Sequence, residues 1–205
     1  MIRNIIFDVG KVLVSYEPDA YMDRLGLNEA QKKRINEAMF ENKLWDDSDQ
    51  GLKAPEEFLQ AFIANAPELE QEIRLIHATV GKTVGLMPYA LEWVQDLKAR
   101  GYHLYILSNY SENMMNQTRS MLKFLPFMDG EVFSYTIKML KPDPAIYQYL
   151  CEKYQLDPKE CVFIDDRAVN IEAARREGIR GILFQNYAQA GNELDAILRN
   201  NFFIS

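Results

Sequence analysis

Short, unbroken apolar runs mark the first residues of the chain and recur after residue 100. Asn4-Ile5-Ile6-Phe7 is the first. Leu104-Tyr105-Ile106-Leu107, Cys161-Val162-Phe163-Ile164 and Gly181-Ile182-Leu183-Phe184 follow, each ending at a polar or turn residue. Runs that stay apolar instead of alternating suit strands covered on both faces, as in a parallel sheet. Between them lie patterns of helical period. Leu91, Val94 and Leu97 fall three apart within Tyr89 to Arg100, and Ile146, Tyr149 and Leu150 share one side of Pro144 to Tyr154. Ile171, Ala174 and Arg175 repeat at helical spacing from Ala168 to Glu177, where Gly178 supplies a stop. Strand and helix in alternation predict an α/β fold with a doubly wound parallel sheet.

Residues 15 to about 85 break the alternation. No strand is expected there, and the pattern is helical throughout. Candidate helices run from Leu27-Asn28-Glu29 to Phe40, from Pro55 to Ala64, and from Pro67 to Ala78. Proline and acids at the second start are those of a helix N-terminus. The expected division is a core made of residues 1–14 and 86–205 with a small all-helical domain, 15–85, inserted after the first strand. Ligands of open α/β sheets bind at the carboxyl ends of the strands, so the insert is expected to sit above that edge.

Composition adds exclusions. The chain has 205 residues, with 48% hydrophobic and 26% charged positions, which are globular averages. Of the net charge of −7, the insert carries −6, from 14 acidic and 8 basic residues, which reads as a solvated helical face. A pI near 5.0 argues against sequence-independent nucleic-acid binding. No apolar run approaches about 18 residues, so no membrane span is expected. Asp8 and Lys11 interrupt the apolar start, which reads as a strand and not a signal peptide. Cys151 and Cys161 show no metal-type spacing, and two histidines far apart complete no zinc site. The cysteine usage fits a reducing compartment. The apolar tail Asn201-Phe202-Phe203-Ile204-Ser205 reads as a segment docked on its own domain, with a homodimer contact as the alternative.

The candidate chemistry sits where strands end. Asp8 follows the first strand in Phe7-Asp8-Val9-Gly10-Lys11-Val12, and Ser108-Asn109 follows the second. Lys141 precedes a helix in Leu140-Lys141-Pro142-Asp143-Pro144, and Asp165-Asp166 follows the apolar run that starts at Cys161. Taken singly, these are a turn aspartate, a helix cap and an exposed lysine. Two adjacent carboxylates are harder to place, because like charges repel unless a cation lies beside them. A parallel sheet brings all four groups to one edge. Carboxylates for a hard cation, a hydroxyl, amide donors and a lysine form the kit for phosphoryl transfer.

With those four motifs in this order, the chain resembles the haloacid dehalogenase-like (HAD) hydrolase superfamily along essentially its whole length. The insert is similar to that superfamily's helical cap, through Leu44-Trp45-Asp46-Asp47, Gly51 and Glu57-Phe58. The resemblance implies a Rossmann-like core and covalent catalysis in which Asp8 attacks phosphorus and becomes an aspartyl-phosphate. It implies that Ser108 and the Asn109 backbone hold the phosphoryl oxygens, and that Lys141 pairs with nucleophile and phosphate. It implies a Mg²⁺ site made by Asp8, the Gly10 carbonyl, Asp166 directly and Asp165 through water or by orienting its neighbour. An oxygen-only ligand set suits Mg²⁺. Asn170 is either a support for these ligands or a plain helix-surface amide, and Lys11 reads as a solvated loop lysine.

One position departs from the pattern. Most phosphatases of the superfamily carry a second aspartate two residues after the nucleophile, as acid and base, and here that position is Gly10. A substrate hydroxyl, a cap residue or solvent is expected to replace it. The expectation is a cytoplasmic, Mg²⁺-dependent phosphatase of a small, sugar phosphate-like metabolite, monomeric or homodimeric, without nucleic-acid or membrane partners. The alternative is a non-catalytic or slow binding protein of the same fold. Attack on carbon, as in the dehalogenases, and phosphomutase chemistry rank lower, since the Asp165-Asp166 pair serves a metal and a mutase also needs the missing acid. Tyr16, Tyr21, Phe40 and Trp45 are candidates to line the cover, with packing between cap helices the expected role for most.

Overall fold

The computed structural model describes residues 1–199, so the apolar tail from Asn201 lies outside the described residues. A five-stranded parallel sheet forms the centre. Its strands are β1 (Asn4–Phe7), β4 (His103–Ser108), β5 (Gly130–Phe133), β6 (Cys161–Asp165) and β7 (Arg180–Leu183), in the order β5-β4-β1-β6-β7. From β1 the chain goes first to one side of the sheet and later to the other, which makes β1 the topological switch point. Register aligns the strand ends: Phe7 is level with Ile106 of β4 and Ile164 of β6.

The apolar runs are continuous because each strand feeds two apolar layers. Ile5, Phe7, Leu104, Ile106, Val162 and Ile164 pack to one side, with helices α6 (Ala90–Ala99), α7 (Glu112–Thr118) and α11 (Tyr187–Arg199). Ile6, Tyr105, Leu107 and Phe163 pack to the other, with α9 (Pro144–Tyr154) and α10 (Ala168–Arg176). Full burial of a side chain such as Phe7 or Phe163 is worth about 1.5–3 kcal/mol. The pattern therefore commits both faces of the sheet. Edge strand β5 is absent from the sequence expectation. Its four residues, Gly-Glu-Val-Phe, include a glycine and a charge and show no apolar run.

Between β1 and α6 lie α1 (Pro18–Arg24), α2 (Glu29–Ile35), α3 (Lys43–Asp49), α4 (Pro55–Asn65) and α5 (Glu70–Ala78). They share an apolar core of their own, including Met22, Met39, Phe58, Phe62, Ile73 and Ile76. Two expectations need correction. The stretch is not helical throughout: β2 (Val14–Tyr16) and β3 (Val84–Leu86) pair antiparallel at its base. Three-residue strands so far apart in sequence carry too little pattern to be seen before they meet. The candidate helix ending at Phe40 divides as well. Asn28 and Gln31 form a capping box for α2, which passes at Asn36 into a wider turn through Phe40. Among the described residues no helix is long and apolar enough to cross a membrane.

Candidate active site

Asp8 leaves β1 with its backbone still tied to the sheet, its N–H donating to Ile164 O at 2.9 Å. The chain then turns tightly. The N–H groups of Val12, Leu13 and Val14 all donate to Val9 O, and Lys11 takes a left-handed φ of 58°. This turn folds the loop back and fixes the Asp8 carboxylate. Three donors converge on Asp8 Oδ1: Val9 N at 2.7 Å, Ser108 Oγ at 2.7 Å and Lys141 Nζ at 2.9 Å. Among the described residues no hydrogen bond holds Oδ2, so that oxygen remains for chemistry.

Lys141 arrives from the loop before α9. Asn109, just past β4, clamps that loop: its Oδ1 accepts from Lys141 N at 2.9 Å and its Nδ2 donates to Lys141 O at 3.0 Å. The Asn109 side chain thus positions the lysine, a role the sequence did not indicate. Asp143 caps α9 through Ala145 N. The Lys141 ammonium, almost sealed from solvent, reaches Asp165 Oδ2 at 2.7 Å as well as Asp8. It also lies 5.2 Å from the Phe163 ring centroid, in cation–π range.

Asp165 ends β6 fully buried, with both oxygens engaged. Arg167 N donates to Oδ1 at 2.8 Å, and Asn170 Nδ2 reaches both oxygens at 3.0 Å. Asn170 is therefore no helix-surface amide. Its carbonyl accepts from Tyr147 Oη, and its Oδ1 is buried without a hydrogen-bond partner among the described residues. Asp166, next to it, is half-buried and faces the cavity.

The electrostatics follow from this crowding. Burial pushes Asp8 up to about 6, with Asp165 adding to the rise and Lys141 and Ser108 opposing it. Burial and then Asp165 also raise Asp166. Burial pulls the Lys141 ammonium down, but Asp8 and Asp165 more than reverse this and hold it above its ordinary value. Three clustered carboxylates beside one ammonium leave an excess of negative charge at a largely buried site. Ligand atoms of Asp8, Asp165 and Asp166 all lie within 4.8 Å of one another. That cluster, the orphaned Asn170 Oδ1 and an oxygen-only donor set fit a hard divalent cation.

Above the cluster is a cavity of about 230 Å³. Asp8, Gly10, Lys141 and Asp166 form its floor, and Tyr16, Trp45, Asp49 and Met114 are among its walls. Lys11 stands exposed at its rim. The four aromatic candidates separate: Tyr16 and Trp45 face the cavity, Phe40 packs on Trp45 at 4.8 Å, and Tyr21 is buried in the insert's core. Asp49, Tyr110, Met114 and Arg167 also line the cavity and did not stand out in the sequence. An acid in a run of acids, such as Asp49, carries no local signal.

Fold and cluster together define a Rossmann-like α/β core with carboxylates and a lysine gathered at the strand ends and a helical insert above them. The sequence matches the family model described as haloacid dehalogenase-like hydrolase over residues 2–178, and the chain belongs to that family. It is similar to D-ribitol-5-phosphate phosphatase of Bacteroides thetaiotaomicron, 25% identical over 98% of this chain and 100% of that protein. It is 30% identical to (S)-2-haloacid dehalogenase 4A of Burkholderia cepacia over 49% of this chain and 44% of that protein. A HAD family enzyme from Bacteroides thetaiotaomicron, solved as a magnesium complex, shares the fold. Its TM-score is 0.74 at 23% identity, covering 97% of this chain and 98% of that one.

Proposed function

We propose that this hydrolase is a Mg²⁺-dependent phosphatase of small phosphorylated metabolites. The observation that carries the reading is the packing of Asp8, Asp165 and Asp166 around the Lys141 ammonium. A surplus of carboxylate charge suits a site that holds a divalent cation and, with it, a phosphate. Attack on carbon, the chemistry in the name of the Burkholderia relative, gains nothing from the Asp165–Asp166 pair. The name of the full-length Bacteroides relative points to a phosphorylated polyol, a size in keeping with the cavity.

In this reading Asp8 Oδ2 attacks phosphorus while Oδ1 stays anchored by its three donors. Lys141 neutralises charge on Asp8 and on the phosphoryl oxygens, and the Ser108 hydroxyl and Asn109 backbone N–H bind those oxygens. Asp8, the Gly10 carbonyl and Asp166 would hold the Mg²⁺, with Asp165 acting through water or by orienting its neighbour, and the ion would offset the phosphate's charge. Residues 15–85 act as a cover that excludes water from the phosphoenzyme. The reaction takes place in the cytoplasm. The test is phosphate release from a panel of sugar, polyol and aryl phosphates, with Mg²⁺, with chelator and with Asp8→Asn. Release that depends on both the metal and Asp8 supports the reading. Release from none of the compounds by folded protein overturns it.

A further inference from the structure

Gly10 deprives the site of the carboxyl that protonates the leaving oxygen, yet another carboxyl lines the same cavity. Helix α3 carries three acids, and the structure sorts them. Asp47 pairs with Lys43 at 2.7 Å, Asp46 lines the cavity but is exposed, and Asp49, the last residue and less exposed, lines it with Asp8 and Gly10.

The backbone at Asp49 is fastened to the α/β layer and not only to the insert. Asp49 O accepts from Ser134 Oγ, which opens α8 (Ser134–Ile137). Gln50 Nε2 donates to Lys138 O at 2.8 Å, and the Lys138 ammonium donates to Gly51 O. Gly51 has a left-handed φ of 66°, and a Cβ there would stand 2.7 Å from Tyr135 O, so backbone touches backbone. These contacts set the distance of Asp49 from Asp8 independently of the insert's own core. The Ser111 backbone N–H is directed at the Asp49 carboxyl, while Tyr16, Asp46, Asp8 and Lys141 are its charged or titratable neighbours. Burial, with Asp46 and Asp8 nearby, pushes Asp49 up to about 8, so it carries a proton near neutrality.

We propose that Asp49 is the general acid and base of this enzyme, in place of the side chain missing at Gly10. The inference rests on the phosphatase reading above. In the first step the Asp8–phosphorus bond forms and the phosphorus–oxygen bond to the alcohol breaks. The electron pair stays on the leaving oxygen, which takes the Asp49 proton. In the second step water attacks phosphorus and gives its proton to the Asp49 carboxylate. The phosphorus–Asp8 bond breaks, its electron pair returns to Asp8, and phosphate leaves with Asp49 protonated again.

The test is the dependence on leaving group. General acid help is worth about 10²–10⁴-fold, and a leaving group that departs readily as an anion does not need it. We compare kcat/KM, which reports only the first step, for phenyl phosphate and p-nitrophenyl phosphate in wild type and Asp49→Asn. The variant is expected to lose at least about a hundredfold on phenyl phosphate and less than about tenfold on p-nitrophenyl phosphate. It should also show a burst of p-nitrophenol, because hydrolysis of the phosphoenzyme is slowed. Asp47→Asn, outside the cavity on the same helix, should leave the ratio of the two substrates unchanged. A Cβ at Gly10 meets nothing within 4 Å, so Gly10→Asp in the Asp49→Asn background should recover at least about tenfold on phenyl phosphate. If Asp49→Asn does not fold, judged by its thermal melt, Asp49→Ala and Asp49→Glu replace it, with only the glutamate expected to keep the wild-type ratio. Equal losses on both substrates in an active background overturn this inference alone. An inactive wild type overturns the phosphatase reading and this inference with it.

Discussion

Lys141 Nζ stands 2.9 Å from Asp8 Oδ1, an ion pair in which the lysine side chain is 1% exposed and the aspartate 10%. Each group has left water to make that contact, and Asp165 shares the same ammonium. Removing one partner from a buried pair strands the other charge, at a cost of about 3–5 kcal/mol. Lys141→Met is therefore expected to lower the stability of the metal-free protein by about that amount in urea unfolding. An unchanged urea midpoint would show that Asp8 and Asp165 find other compensation.

Asp49 gives stability a pH dependence. Its carboxyl is pushed up to about 8 in the folded protein from an ordinary 3.8, mainly by burial. Between those values the folded state holds a proton that the unfolded chain has released. Stability then falls as pH rises through the window. Asp8, raised to about 6, contributes in the lower part of the same window. In the upper part, from about pH 6.5 to 8.5, the urea midpoint of metal-free protein should decline, and Asp49→Asn should flatten that decline. A wild-type midpoint that rises over this range would contradict the burial argument.

Mg²⁺ should stabilise the fold through the carboxylate cluster. At about a hundredfold over Kd, one bound ion adds about 2.7 kcal/mol. For a chain of this size that raises Tm by about 5–10 °C. Asp166→Ala, at a half-buried position, should abolish the rise while barely moving the melt without metal. An equal Mg²⁺ response in the variant would place the ion elsewhere.

The anchor at Gly51 is open to a direct test. Alanine there must hold a left-handed φ, at about 1–2 kcal/mol, and its Cβ would press on Tyr135 O. Gly51→Ala should lower Tm and also turnover, because the end of α3 shifts away from the core. Gly26→Ala, where φ is 78° and the Cβ meets nothing within 4 Å, carries the same backbone strain without the clash. It should cost stability and leave turnover near wild type.

Much of the site was legible because parallel-sheet chemistry is written at strand ends. Asp8, Ser108, Lys141, Asp165 and Asp166 each follow an apolar run or precede a helix, and register then brings Phe7, Ile106 and Ile164 level. The fold class was legible for the same reason: strands covered on both faces must be apolar throughout. What escaped has no local signal. The short strands β2 and β3 exist only by pairing with each other. Asn109 looks like a helix cap until it clamps the Lys141 loop, and of the two sequence readings of Asn170, support for the ligands or surface amide, only its contact with Asp165 selects the first.

By itself, the sequence determined the alternation of strands and helices, the helical insert and the set of chemical groups, because burial patterns and strand-end residues are local properties. The tertiary structure decided how those groups divide their work. Which oxygen of Asp8 is held and which is free depends on Ser108 and Lys141, distant in the chain and close in space. The difference between Asp46, Asp47 and Asp49 likewise arises only when α3 docks on the core. The first stays exposed at the cavity, Lys43 pairs the second, and the third lines the cavity with less exposure.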